Sequence, residues 1–243
     1  MGFIETHKAD CMLSVLISTN LLRASVDCGV NKYLYASSAC AYAADKQLDV
    51  NVTALKEEDA YPAMPEDGYG WEKLFSERMC RHFMEDYGLK VAVPRFHNVY
   101  GTRTHFDGGR EKAPAALSRK VAQAVISKNH KIDIWGDGEQ TRSFMHVADC
   151  VTGMNKLMFS SNFSDPINLG SSELISINDM VSLLEEIASV KLERVYDLSA
   201  PQGVRGRNSD NTLIKEVLGW EPSTPLKNGL SELYQWVYSS LVK

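Results

Sequence analysis

Apolar positions recur at helical spacing over residues 13–26, and Gly29 stands where a left-handed cap ends such a helix. The run Lys32-Tyr33-Leu34-Tyr35-Ala36 predicts a buried strand, with Ser37-Ser38-Ala39-Cys40 as its small polar end. A polar stretch over 46–67, carrying Pro62 and Pro65, predicts loop. Residues 69–87 hold the strongest helical pattern of the chain; Gly88 stops it, and 89–96 reads as the next strand. Helix, strand, loop, helix and strand in this order predict right-handed β-α-β units in a parallel sheet, an α/β fold. Further on, the pattern predicts helices over 113–126, with Pro114 in the first turn, and over 147–159. It also predicts a helix capped by Ser176 and running to about residue 188. Short strands are expected at 131–135, 167–169 and 193–196, and closing helices at 211–218 and 230–242. A Gly136-Asp137-Gly138 turn follows the first of these strands, and Trp135 and Trp236 read as core.

Composition narrows the classes. The chain has 243 residues, 44% hydrophobic and 23% charged, enough apolar material for a core and too much for a disordered chain. A formal charge of −5 argues against bulk attraction to nucleic acid or to an anionic membrane. No apolar run reaches the roughly 18 residues a bilayer span needs, and no basic stretch precedes an N-terminal apolar run as in a signal peptide. Cys11, Cys28, Cys40, Cys80 and Cys150 are odd in number and lack C-x-x-C spacing. Reduced thiols in the cytoplasm are therefore expected, with neither a disulfide scaffold nor a metal site.

Tyr69-Gly70-Trp71-Glu72-Lys73 sets a phenol and an ammonium on one face of a helix. An ammonium beside a phenol favours the phenolate, so a lowered pKa is expected for Tyr69. Such a pair takes a proton from a sugar hydroxyl while a nicotinamide takes the hydride. The same spacing also arises in surface pairs of no function. Its neighbours add weight. Ser37-Ser38 ends one strand and Arg95-Phe96-His97-Asn98-Val99-Tyr100-Gly101 ends the next, and ligands gather at that edge of a parallel sheet.

In this order, Ser-Ser-Ala, Y-x-x-x-K and R-x-x-N-V-Y-G resemble the extended short-chain dehydrogenase/reductases. Longer strings narrow the resemblance to the plant GDP-mannose 3,5-epimerases: Tyr35-Ala36-Ser37-Ser38-Ala39-Cys40; Gly108 through Ala116; Trp135-Gly136-Asp137-Gly138 with Gln140-Thr141-Arg142-Ser143-Phe144; and Gly203 through Asp210. The resemblance runs from Met1 to about the last helix. It implies NAD as cofactor and GDP-mannose and GDP-L-galactose as substrate and product. It further implies a 4-keto intermediate with inversion at C3 and C5, and a place in the sugar-nucleotide chemistry of ascorbate and cell-wall synthesis. Tyr69 matches the proton acceptor, Lys73 its companion at the nicotinamide ribose, and Ser38 the hydroxyl on the reacting oxygen. Cys40 and Lys112 match the acid/base pair on opposite faces of the sugar. A neighbouring cation is expected to bring the thiol toward neutrality. Ser37 is expected at the cofactor. Ala39, Asn98, Glu111, Ala113, Lys120, Gln140, Thr141, Arg142 and Arg205 are expected around the sugar nucleotide, where paired guanidinium donors suit a diphosphate. A homodimer through the helix that begins at Tyr69 is also implied.

The chain departs from that pattern in several places. Neither G-x-G-x-x-G nor G-x-x-G-x-x-G occurs, although a dinucleotide pyrophosphate needs that turn. Ala43-Ala44 replaces Pro-Glu, Trp71 replaces a smaller aliphatic residue, no proline follows Gly101, and the stretch from Ser127 to Lys131 is longer. The expected architecture is an incomplete Rossmann-like sheet in 1–100 with a smaller mixed α/β substrate region in 101–243. A segment near 140–165 is expected to return to the first part. Three readings stay open: an active epimerase, a catalytically inactive truncated homologue that keeps a sugar-nucleotide pocket or joins a full-length subunit, and a shortened gene model.

Overall fold

The computed structural model describes residues 4, 6–109, 111–200 and 203–242. Helix α1 (Lys8–Asp27) leads into β1 (Lys32–Leu34) and β2 (Ser37–Ser38). These two pieces form one interrupted strand, because Lys32 opposite Lys90 and Ser37 opposite Arg95 keep a single register along β3 (Lys90–Phe96). The expected strand therefore breaks at Tyr35 and Ala36 and resumes one step nearer the site. β7 (Pro166–Leu169) pairs with the other side of β3, with Arg95 opposite Asn168, and every pair in this sheet is parallel. β3 is thus a central strand, and its buried run Val91 to Arg95 is apolar apart from its last residue, as a strand covered on both faces should be.

Helix α2 (Asp67–Tyr87) covers one face of the sheet beside α1, and Gly88 ends it at φ 71°. Leu22, Tyr35, Cys80, Leu89, Val91 and Val93 fill the space beneath these helices. α4 (Val147–Asn155), continued by a wide turn over Lys156–Ser160, covers the other face with α6 (Thr212–Leu218), packing Ala92, Met145, Leu157, Ile167, Leu169 and Ile214. The Lys32 ammonium donates to the Leu157 and Ser161 carbonyls, both at 2.6 Å, and so satisfies backbone groups that the widened turn leaves open.

A second sheet has β6 (Thr141–His146) at its centre. β4 (Asn98–Tyr100) and β10 (Gly206–Arg207) run parallel to it, and β8 (Leu174–Ser176) runs antiparallel. β5 (Lys131–Trp135) pairs in parallel with β9 (Glu193–Asp197). α3 (Ala113–Ser127), α5 (Ile177–Ala188) and α7 (Leu226–Leu241) enclose the largest core, built on Val121, Ile134, Phe144, Met180, Leu184, Leu230 and Val237.

Three expectations need correction. β6 was not expected, because it begins with the half-buried polar residues Thr141 and Arg142 and so does not read as apolar. α7 starts at Leu226, four residues before the apolar run suggested, since Pro225 opens it. Trp135 is 56% exposed: β5 alternates in and out, and residue 135 falls on the outer face with Lys131 and Asp133. Trp236 does pack against the large core, edge-on to Phe106 at 5.4 Å. Among the described residues, no helix is long and apolar enough to cross a membrane, and no cluster of His, Cys, Asp and Glu is placed to hold a metal ion.

Candidate active site

β2 delivers Ser37 and Ser38 to the carboxyl edge of the first sheet, and the chain folds at once into a tight turn over Ala39–Ala41. The Ser38 hydroxyl oxygen caps that turn by accepting the Cys40 N–H at 3.2 Å. α2 then comes unusually close. A Cβ on Gly70 would lie 2.3 Å from the Cys40 carbonyl oxygen, so this approach requires glycine. The Glu66 N–H donates to the same carbonyl at 3.2 Å. Tyr69 is thereby brought to the Ser38–Cys40 turn, near enough for the Ser38 hydroxyl to favour its phenolate.

Lys73 lies one helical turn beyond Tyr69. Its Nζ donates to the Ala36 carbonyl at 3.1 Å and stands 5.5 Å from the centre of the Tyr69 ring and 5.0 Å from that of Tyr35. It also lies 3.6 Å from the buried Glu72 carboxylate, which accepts from Tyr35 at 3.2 Å and Ser76 at 2.9 Å. The expected depression of the Tyr69 pKa is overturned. The phenol is pushed above its ordinary value, mainly by burial and next by the charge of Cys40. The Ser38 hydroxyl works the other way, while Glu72 and Cys11 raise the value further. Lys73 turns its charge toward a carbonyl and Glu72, so it does little for the phenolate.

Ser37 is tied inward. Its hydroxyl donates to Glu77, whose carboxylate also accepts from Arg95 Nε at 2.8 Å and Nη2 at 2.7 Å. Arg95 and Glu77 are both buried, and Arg95 Nη1 donates to the Glu57 carbonyl at 2.7 Å. This network joins β2, β3 and α2, the three elements that carry the site. Next to it, His97 shares Asn168 Oδ1 with the Tyr42 hydroxyl, at 2.9 Å and 2.6 Å. Burial holds the imidazole down at about 4, so it is neutral near pH 7.

The second sheet brings a group of cations to the same turn. Arg142 on β6 and Arg207 on β10 are register partners. Arg207 Nη1 donates to the Cys40 sulfur at 3.7 Å. Arg142 donates to the Thr141 carbonyl at 2.7 Å and to the Val204 carbonyl. Burial lowers its guanidinium to about 10, an effect that Cys40 opposes and Arg205 assists. Arg205 grips Asp137 through both Nη atoms at 3.1 Å. Thr141 Oγ1 donates to the Val50 carbonyl at 2.5 Å, and Asn98 Nδ2 to the Ser143 carbonyl at 3.2 Å. Gln140 is buried, donates to the Trp135 carbonyl at 3.0 Å and leaves its Oε1 without a partner.

The remaining expected residues lie on and before α3. Lys112 is the exposed residue that precedes the helix, and Ala113 begins it. Glu111 is paired with Arg119 at 3.0 Å. Lys120 donates to the Asp133 carbonyl at 2.7 Å and sits 5.9 Å from the centre of the exposed Trp135 ring; burial lowers its pKa. Ser38, Cys40, Tyr69, Lys73 and Arg142 are therefore one linked group. Glu111, Lys112, Ala113 and Lys120 form a second, and no hydrogen bond or ion pair joins Lys112 to Cys40. Sequence reasoning missed Arg207, together with its partners Gln47 and Glu66. Arg207 lies in the Gly203–Asp210 string but received no role there, because the relation of all three to Cys40 exists only after the two sheets meet.

The NAD dependent epimerase/dehydratase family matches residues 4–170. The chain belongs to this family. A GDP-mannose 3,5-epimerase of Oryza sativa subsp. indica is 46% identical over all of this chain, and one of Arabidopsis thaliana is 43% identical. The sequence resemblance to the plant enzymes is thus borne out. The chain spans 63% of the length of each of these relatives. Among solved structures, a UDP-glucose 4-epimerase of Thermotoga maritima with UDP-glucose superposes at a TM-score of 0.84 and 28% identity, over 98% of this chain and 74% of that one. A UDP-glucuronic acid 4-epimerase of Bacillus cereus, solved with UDP-glucuronic acid and NAD, shares the fold at a TM-score of 0.75 and 24% identity, over 93% of this chain and 68% of that one. The Rossmann-type architecture of the family is the one described above.

Proposed function

We propose that this chain carries the reacting centre of an NAD-dependent GDP-mannose 3,5-epimerase, which converts GDP-mannose to GDP-L-galactose through a 4-keto sugar. The observation that carries the reading is the convergence of Ser38, Cys40 and Tyr69 on one turn, with Lys73 beside the phenol. NAD, if held here, would supply hydride acceptance and return at C4. The present residues fit its nicotinamide end: Lys73 and Tyr69 stand together at the carboxyl edge of the parallel sheet, with the Ser37 backbone alongside. Tyr69 accepts the hydroxyl proton at C4 as its phenolate and, once protonated, returns it; its raised pKa makes that phenolate scarcer but more basic. Ser38 orients the reacting oxygen. The ketone acidifies the C3 and C5 protons, and Cys40 exchanges a proton on one face while Lys112 supplies the other. Asn98, Ala39, Ala113, Glu111, Lys120, Gln140, Thr141, Arg142 and Arg205 surround the sugar nucleotide. The guanidiniums suit its diphosphate.

Purified chain incubated with NAD and GDP-mannose should yield GDP-L-galactose by anion-exchange chromatography. A folded sample that binds NAD but forms no product refutes the reading. A second reading, a non-catalytic homologue that keeps the sugar-nucleotide pocket or associates with a full-length subunit, is favoured by the raised Tyr69 pKa and the bond of Lys73 to the Ala36 carbonyl, which work against a phenolate base. Calorimetry separates the two, since it predicts GDP-mannose binding with no NAD binding. A homodimer through α1 and α2 is supported by Met12, Leu13, Leu16, Ile17, Trp71 and Phe75, all exposed on these two helices. Light scattering that gives a monomer mass removes it. The five free cysteines support a reducing compartment such as the cytoplasm.

A further inference from the structure

Arg207 lies in the Gly203–Asp210 string that carries the family resemblance, with no role attached to it there, and its surroundings are built. It is 6% exposed, and each part of its guanidinium has its own neighbour. Nε donates to Gln47 Oε1 at 2.5 Å, Nη2 is paired with the Glu66 carboxylate, and Nη1 is left for the Cys40 sulfur at 3.7 Å. Gln47 is itself fixed. It is fully buried, its Nε2 donates to the Ala43 carbonyl at 3.2 Å, and its own carbonyl accepts the Arg205 N–H at 3.0 Å. Glu66 is fixed from the other side, because its N–H donates to the Cys40 carbonyl at 3.2 Å. The planar fork of arginine is therefore immobilised with one donor aimed at one atom.

We propose that Arg207 is the positioning residue of Cys40: the guanidinium, clamped by Gln47 and Glu66, holds Sγ in one place and faces the negative charge that sulfur takes up when its proton leaves. This rests on the reading of Cys40 as the proton-exchanging thiol, but it concerns only the pair and needs neither cofactor nor sugar to be tested. Sulfur is a weak hydrogen-bond acceptor when protonated and a strong one as thiolate, so a fixed cation acts mostly on the charged form. The charged and titratable groups that face the thiol come from three elements: Arg207 on β10, Arg142 on β6 and Tyr69 at the start of α2, while the Glu66 carboxylate is paired with Arg207. Gln47 and Glu66 gain a purpose from the same reading. A carboxylate set directly against the thiol would resist its ionisation, whereas one set behind the guanidinium aims the cation without meeting the sulfur.

The test is alkylation of the five thiols by iodoacetamide across pH 6 to 9.5, followed peptide by peptide by mass spectrometry. Exposed Cys28 is the internal reference. Arg207→Met should slow Cys40 at pH 7.5 by about tenfold and move the midpoint of its rate–pH profile to higher pH, with Cys28 unchanged. Arg207→Lys, which keeps the charge, should recover at least half of the lost rate. A purely structural role predicts the opposite sign, because loosening the site exposes a buried thiol and speeds its reaction. Equal or faster alkylation of Cys40 in Arg207→Met therefore overturns the proposal. Should Arg207→Met not fold, Gln47→Leu decides: releasing the clamp should slow Cys40 about threefold, and an unchanged or faster rate overturns the proposal. The outcome is independent of turnover: an inactive chain with the expected profile refutes the epimerase reading alone, and an active chain with an unaltered profile refutes the Arg207 role alone.

Discussion

Replacing Glu77 by alanine tests whether the joint between the strand end and helix α2 has the strength its geometry implies. The Glu77 carboxylate accepts two bonds from Arg95, at 2.8 and 2.7 Å, and a third from the Ser37 hydroxyl. Both charged side chains are 2% exposed. Removing the carboxylate leaves a guanidinium out of water with the Glu57 carbonyl and the Tyr42 ring as its remaining partners. Loss of one partner from a buried pair costs about 3–5 kcal/mol. Ser37→Ala removes only a neutral donor from the network and should cost about 1 kcal/mol. Replacing the pair together, Glu77→Leu with Arg95→Met, removes both desolvated charges and should restore at least half of the stability lost by Glu77→Ala. Urea unfolding followed by circular dichroism and fluorescence gives each value, with an unchanged slope certifying the comparison. A loss below about 1 kcal/mol for Glu77→Ala, or a double variant as unstable as the single one, refutes the reasoning. The consequence for the site is direct, since Glu77 lies on the same helix as Tyr69 and Lys73 and anchors it to the strand that carries Ser38.

Burial holds the His97 pKa at about 4 against 6.5 for a free imidazole, so the unfolded chain binds a proton in that window that the native chain does not. Its contribution is full above pH 6.5 and is lost as pH falls toward 4, by at most about 3 kcal/mol; His97→Gln should flatten urea stability over that interval, and an unchanged slope refutes the assignment. Gly70→Ala should lose about 1–3 kcal/mol by overpacking against the Cys40 carbonyl and should lower turnover without removing any reactive group; wild-type stability by thermal melting contradicts the close approach. Asp137→Asn breaks the half-exposed pair with Arg205 and should change stability by less than about 1 kcal/mol in a denaturant titration.

Much of the first sheet was legible because its signals are local. The helical period over 69–87, its stop at Gly88 and the apolar run of β3 each follow from residues that are neighbours in the chain. Ser38, Tyr69 and Lys73 were legible for the same reason: two strand ends and one helical face place them in order. The second sheet was less so. β6 opens with the half-buried polar residues Thr141 and Arg142, so no apolar alternation betrays such a strand. Trp135 misled because a lone large aromatic looks like core until the pleat decides its face.

The sequence by itself determined the family and the parallel α/β plan, since these depend on residue type, spacing and period. Tertiary structure alone decided the states of the side chains at the site. It raised the phenol that spacing expected to fall, because burial and the neighbouring thiol outweigh an ammonium whose charge is spent on Ala36 and Glu72. It also set Arg207 against Cys40 across a gap in sequence that no local rule spans. The reason is physical: propensity and periodicity act between near neighbours, whereas desolvation and charge act through whatever the fold brings within a few ångströms.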